Sequence, residues 1–275
     1  MDQKVILISG ASSGIGKATA TRLHKAGHIV YAAARRLERM EDLKQQGMHV
    51  ITLDLTDDDS MQRVIGMIIA KEGRIDVLVN NAGYGSYGSL EEVPLAEGKR
   101  QFDVNLFGLA RLTQLVVPTM REHRTGRIIN VSSIGGKMHE PLGSWYHASK
   151  FAVEGLSDCL RVELAPFGID VVVIEPGLID TEWPDIAAEN LLNTSGHGPY
   201  SNQAKKQAAF FRQSASGKGL KWSDPDVVAR GIEKAVKAKR PKTRYAMGCL
   251  ARLTLWTRRL VSDRTMDWIM TKIMG

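Results

Sequence analysis

The sequence predicts an α/β protein: one doubly wound parallel sheet flanked by helices, a single domain that closes in a C-terminal helical extension. Three observations carry that expectation. Six short apolar runs recur at residues 5–9, 29–34, 49–53, 76–80, 127–132 and 170–175. Most are continuous rather than alternating, which marks strands buried on both faces, the habit of parallel sheets covered by helices. Between the runs lie helically spaced segments, such as Val64, Met67 and Ile68 before Gly73, and strand–helix–strand order repeated along a chain winds a sheet in both directions.

The bulk numbers agree. A chain of 275 residues with 43% hydrophobic and 24% charged residues can bury a sizeable core and is neither disordered, collagen-like nor a disulfide scaffold. No repeat, low-complexity tract or Pro/Ser-rich linker divides it. The two cysteines, Cys159 and Cys249, read as reduced thiols of a cytoplasmic protein. Cys159 is expected in the core. The apolar run at 5–8 is too short for a leader or a membrane span.

The first strand runs into Gly10, Ala11, Ser12, Ser13, Gly14, Ile15 and Gly16, and a helical stretch follows. Glycines there let the backbone turn tightly and approach a pyrophosphate, at which the helix start aims unpaired N–H groups. The spacing departs from the common G-x-G-x-x-G, so a turn that merely reverses the chain is the alternative. The second strand ends in three alanines at 32–34, then Arg35 and Arg36. An acid is the usual partner of the ribose 2′-hydroxyl of NAD, whereas two guanidinium groups suit a 2′-phosphate. This favours NADP over NAD, the alternative being a solvated surface pair. After the third strand, Asp54 and Leu55 stand at a carboxyl end, where Asp54 reaches an adenine amine. Asp57, Asp58 and Asp59 read as the acidic first turn of a helix, favoured by its dipole, rather than as a metal site.

Asn80, Asn81, Ala82 and Gly83 close the fourth strand, and Asn105 falls in the next helix. The fifth strand closes with Asn130, Val131, Ser132 and Ser133, where ligands bind in open α/β sheets. Thirteen residues on, Tyr146 and Lys150 are four apart, hence on one helix face. An ammonium beside a phenol favours phenolate and is expected to lower the tyrosine pKa toward working pH, for proton exchange with a hydroxyl or carbonyl. His139 and His147 flank this point without a second ligand at metal spacing, so no metal is expected. Arg121, His123 and Arg124 read as a solvated helix end.

The set formed by Gly10-x-x-x-Gly14-Ile15-Gly16, Asn80-Asn81-Ala82-Gly83, Asn105, Ser133, Tyr146-x-x-x-Lys150 and Pro176-Gly177 resembles the short-chain dehydrogenase/reductase family, in that family's order, over residues 4–181. Ser9 stands where the family usually has threonine. The resemblance implies a Rossmann-type, NADP(H)-dependent oxidoreductase acting between carbonyl and alcohol. It implies Tyr146 as proton donor or acceptor, Ser133 as partner of the substrate oxygen, Lys150 as holder of the nicotinamide ribose and Asn105 as ligand of a relay water. Gly10, Ser12, Ser13, Gly14, Ile15, Gly16, Arg35, Arg36, Asp54 and Leu55 are then expected along the cofactor. So are Asn81, Ala82, Gly83, Tyr146 and Lys150, with Pro176, Gly177, Ile179 and Thr181 at the nicotinamide end. A homodimer or homotetramer is implied too, through the helices bearing Asn105 and Tyr146. A non-catalytic NADP(H) sensor on the same fold is the alternative function.

Residues 182–222 read as a long substrate lid with scattered large apolar side chains, including Trp183, Ile186, Phe210, Phe211 and Trp222. The stretch at 193–202, rich in Gly, Ser and Asn, is expected to be mobile. With Ile134, Met138, Pro141, Leu142 and Trp145 the lid outlines a pocket for an apolar small-molecule carbonyl or alcohol, and the layout resembles the hydroxysteroid and retinol dehydrogenase branch. A helix is expected from about Ser223-Asp224-Pro225, a last strand at 243–247, and an amphipathic helix through Met266, Ile269, Met270 and Ile273.

Of the net charge of +7, residues 240–275 hold +6, from eight basic and two acidic residues. A near-neutral body with its excess at one end does not read as a nucleic-acid binder. The tail is read first as packed on its own domain or a neighbouring subunit. Peripheral contact with anionic lipid is the second reading.

Overall fold

In a computed structural model, residues 2–212 and 220–274 are described. Residues 213–219 of the expected lid lie outside them. The strands are β1 (Val5–Ser9), β2 (Ile29–Ala34), β3 (His49–Thr52), β4 (Val77–Asn80), β5 (Gly126–Val131), β6 (Ile169–Pro176) and β7 (Arg244–Met247). They form one sheet in the order β3-β2-β1-β4-β5-β6-β7, every pair parallel. The six early strands and the last one fall within a residue or two of their expected places.

Continuous apolar runs bury both faces, and the side chains alternate between two cores. Ile6 and Ile8 of β1 face the first, with Leu23 of α1 (Gly14–Lys25), Leu43 of α2 (Glu41–Gln45) and Val228 and Ile232 of α9 (Pro225–Lys237). Val5 and Leu7 face the second, with Val64 and Ile68 of α3 (Asp58–Glu72), Leu112 and Val116 of α5 (Leu109–Glu122) and Leu164 of α6 (Ser144–Leu164). A slip of one residue in β1 would exchange the two sets.

Local signals set the helix ends. The Asp57 carboxylate caps α3 by accepting from the Ser60 amide at 3.2 Å, and Gly73 ends it at φ 73°. Asp224 caps α9 ahead of Pro225, as expected. The helix expected around Asn105 is an α4 (Leu95–Phe102) that passes through a π-helical turn at Asp103–Gly108 into α5.

Three expectations fail. The stretch read as a long connection forming a lid folds into two helices, α7 (Trp183–Ser195) and α8 (Ser201–Phe211). Ala187, Ala188, Ala204 and Ala208 are buried there together with Leu191 and Phe211, and the small residues are ones that a search for large apolar side chains passes over. The segment expected to be mobile is tied down: the Ser195 hydroxyl is buried and accepts from the Ser89 amide at 2.9 Å, and the Tyr200 hydroxyl donates to Glu91 at 2.9 Å. Cys159 is exposed rather than in the core, because α6 turns Val153, Glu154 and Ser157 inward and Cys159 outward.

The chain closes with α10 (Ala251–Leu260) and α11 (Asp263–Met274). Met266 and Met270 of α11 pack on Met138, so one face of the tail is seated on its own chain.

Candidate active site

Strand order reverses at β1 and β4, and the carboxyl ends of these strands open the crevice where ligands bind in such sheets. The Ser9 hydroxyl accepts from the amides of Asn81 and Ala82 at 3.1 and 3.2 Å, and the Asn81 amide group donates to the carbonyls of Ser9 and Gly10 at 3.1 Å each. This locks the two strand ends together and leaves no room for a Cβ at Gly10 or Gly16. A Cβ on Gly10, which sits at φ +70°, would lie 2.7 Å from Ala82 Cα. One on Gly16 would lie 2.2 Å from the Gly10 carbonyl oxygen. The start of α1 then faces the crevice with no side-chain cap on Ser13 and no acid in its first turn.

A cavity of about 700 Å³ runs from this turn across the strand ends. Of the residues singled out in the sequence, it is lined by Gly10, Ser12, Ser13, Gly14, Ile15, Arg35, Arg36, Asp54, Leu55, Asn81, Ala82 and Gly83. Ser133, Tyr146, Lys150, Pro176, Gly177, Ile179 and Thr181 line it too, with Thr181 against Gly14 and Lys150 beside Gly83. Gly16 and Asn105 are buried behind the wall. Arg35 and Arg36 are exposed, and among the described residues neither forms a salt bridge. Burial pushes Asp54 upward, but hydrogen bonds from the Thr56 amide and hydroxyl, at 2.9 and 2.8 Å, and the Arg35 charge hold it below the usual carboxylate value.

Tyr146 lies one turn before Lys150 on α6, and both are buried. The Lys150 ammonium donates to the Val131 carbonyl at 3.0 Å. Ser133 follows β5 in extended backbone, and its hydroxyl accepts from the Gly135 amide at 3.0 Å. The expected acidification of Tyr146 is absent in the chain by itself. Burial pushes the phenol up to about 12, the Ser133 hydrogen bond pulls it back in part, and the Glu140 charge adds to the rise. Burial also lowers Lys150 to about 8, opposed by Glu154. Desolvation outweighs the attraction that spacing alone implies.

The Asn105 amide is committed to the neighbouring loop. It donates to the Tyr84 carbonyl at 2.9 Å and to the Ser149 hydroxyl at 3.0 Å, and it accepts from the Tyr84 amide at 3.0 Å.

A family model for short chain dehydrogenase matches residues 4–190. This chain belongs to the short-chain dehydrogenase family. It is 44% identical over 185 residues to a 3-ketodihydrosphingosine reductase of Bacteroides thetaiotaomicron, covering 67% of each chain. A short-chain dehydrogenase from Streptomyces avermitilis superposes with TM-score 0.82 at 34% identity, over 99% of this chain and 98% of that one. A serine dehydrogenase in closed form, complexed with NADP+, superposes with TM-score 0.77 at 25% identity, over 90% and 95%.

Part of this short-chain dehydrogenase's site is silent in the sequence. Tyr87 is fully buried, and its ring stands 5.7 Å from that of Tyr146 and 5.0 Å from that of Phe211. Its hydroxyl donates to Glu140 at 2.5 Å, a partner 53 residues away. Glu140 lies 3.7 Å from His147, whose other ring nitrogen meets the Gly135 carbonyl at 2.9 Å. Trp183 closes on Tyr146 with ring centres 5.3 Å apart. Its place at the start of the expected lid was the one signal available.

Proposed function

We propose that this short-chain dehydrogenase uses NADP(H) to interconvert a carbonyl and an alcohol on an apolar small molecule, with Tyr146 moving the proton. The observation that carries the reading is one side chain. The Tyr146 phenol is buried in the wall of a cavity that Ser133 and Lys150 also line, Lys150 one turn on along α6, while the same cavity reaches the glycine turn.

The chain's own residues fit a dinucleotide. The uncapped start of α1 leaves amides with no intrahelical partner beside the cavity, which suits a pyrophosphate. Gly10 and Gly16 let the turn pack tightly against Ala82 and against its own carbonyl, which holds it beside the cavity. Asp54, Leu55, Asn81, Ala82 and Gly83 would hold the adenosine half. Lys150, Pro176, Gly177, Ile179 and Thr181 would hold the nicotinamide half. The unpaired charges of Arg35 and Arg36 support a 2′-phosphate, and the serine dehydrogenase neighbour was solved with NADP+. When bound, the nicotinamide supplies or removes the hydride equivalent.

At neutral pH a phenol with pKa about 12 is protonated. In that form it can give a proton to a carbonyl oxygen in reduction, and the phenolate can take one back in oxidation. Ser133 is placed to hydrogen-bond that oxygen as charge develops on it, and the Lys150 ammonium stabilises the phenolate left behind. Asn105 acts as a positioning residue: with its amide spent on Tyr84 and Ser149, it holds the loop at 83–84 against Lys150.

The substrate end is apolar. Tyr87, Leu142, Tyr146, Phe211 and Trp222 form one packed cluster with Trp183 against it. This supports a bulky lipophilic ketone or aldehyde, as does the 3-ketodihydrosphingosine reductase among the relatives. Following NADPH absorbance with a panel of carbonyls tests the reading. Apolar ketones and aldehydes are expected to turn over well ahead of sugars, and equal or better turnover of sugars overturns the substrate class.

A further inference from the structure

The helices at the end of the chain carry a surface that the fold does not use. On α10, Leu253, Trp256 and Leu260 are 60%, 63% and 64% exposed. Their i, i+3, i+7 spacing places them on one stripe. Arg252 and Arg259, also seven apart, run along its flank, and among the described residues neither is held by a salt bridge. On α11, with Met266 and Met270 turned into the protein, Trp268 is 62% exposed and has Arg264 and Lys272 one turn to either side. The two acids of this segment are already engaged: Asp263 with Arg258 at 2.6 Å and Asp267 with His139 at 2.8 Å.

Two further observations point to what covers this surface. Beside α10, a recess of about 430 Å³ is lined by five cations, of which Arg230 and Arg244 are held by acids while Lys234, Lys242 and Arg252 form no salt bridge among the described residues. The same two helices also border the catalytic cavity, through Leu250 and Thr254 of the α10 approach and Met270 and Ile273 of α11. Leu250 and Ile273 are 39% and 56% exposed, so the cavity meets solvent at this apolar, cationic face.

We propose that α10 and α11 dock on the surface of an anionic phospholipid bilayer, so that the mouth of the cavity faces the membrane from which an apolar substrate is taken. Tryptophan and leucine at headgroup depth, flanked by arginine and lysine, match the two layers of such a surface. A second copy of the chain matches it less well, because a two-fold contact sets the same cationic patch against itself. The docking stands on the surface alone. The uptake of substrate through it rests on the function proposed above.

Co-sedimentation of the full chain with phosphatidylcholine vesicles, with and without phosphatidylglycerol, is the test. Binding is expected only to the anionic vesicles and is expected to weaken with salt. Each cation near such a surface contributes about fivefold in affinity, so Arg252→Ala with Arg259→Ala should weaken binding by roughly 30-fold. Trp256→Ala with Trp268→Ala should weaken it further, with NADPH binding intact in both double variants. Equal binding to both vesicle types, binding to neither, or no effect of either double variant overturns the proposal. So does a dimer in solution that the tryptophan variant converts to monomer. Vesicle binding without carbonyl turnover removes the proposed function and leaves the docking standing. Turnover without vesicle binding does the reverse.

Discussion

Lys150 gives the sharpest quantitative test, because its proposed use in catalysis conflicts with its burial. Burial lowers its pKa from 10.5 to about 8, which at 1.36 kcal/mol per pH unit places the cost of keeping it charged near 3 kcal/mol. Below pH 8 both the folded and the unfolded chain hold the proton, so the folded state bears that cost in full. Between pH 8 and 10.5 the unfolded chain binds more protons than the folded one, so stability rises with pH through that window. Lys150→Met keeps the shape and removes the charge. It also leaves the Val131 carbonyl without its donor, a loss of about 1–3 kcal/mol. The variant should therefore match or exceed the parent by roughly 1 kcal/mol at pH 7, a rise of about 2–4 °C in Tm, while losing turnover. Raising the pH to about 9.5 should cost the variant about 2 kcal/mol relative to the parent, because only the parent gains there. Thermal and urea unfolding of the cofactor-free proteins at both pH values measure this difference. A difference that does not change with pH would refute the desolvation argument.

Other consequences follow from the same geometry. Glu140→Gln removes a charge that raises the Tyr146 pKa, so the alkaline rise in alcohol oxidation should move to lower pH. A pH profile that moves upward contradicts the assigned cause. Arg35→Ser with Arg36→Ser should weaken NADPH binding by roughly ten- to a hundredfold and leave NADH nearly unchanged. Titrations that weaken both nucleotides alike would remove the 2′-phosphate reading. Gly16→Ala forces a Cβ to within 2.2 Å of the Gly10 carbonyl oxygen, which should lower stability by about 1–3 kcal/mol and weaken nucleotide binding. An unchanged Tm with full binding would show that the turn does not need a glycine there.

Much of this was legible in the sequence because it is written locally. Continuous apolar runs located six strands, and the Tyr146/Lys150 spacing placed both side chains on one helix face before any tertiary structure was known. The strand ends gave Ser133, Asn81 and the glycine turn their common crevice. Quantities set by distant neighbours were not legible. The helix partner alone implies an acidic Tyr146, whereas burial under distant neighbours such as Tyr87 and Trp183 dominates and raises its pKa. The Tyr87–Glu140 bond joins two loops that no local pattern connects. The two lid helices pack through four alanines beside Leu191 and Phe211, and alanines carry little periodic signal. Cys159 was misplaced because its position on α6 depends on which neighbours the helix turns toward.

The proton transfer assigned to Tyr146 is tested most directly by steady-state turnover and NADPH binding of Tyr146→Phe, side by side on an apolar ketone that the parent reduces. The variant should bind NADPH as the parent does and lose at least a hundredfold in kcat, the lower range for a positioned general acid. Turnover retained within a few-fold, with the nucleotide bound, would contradict the account at its centre.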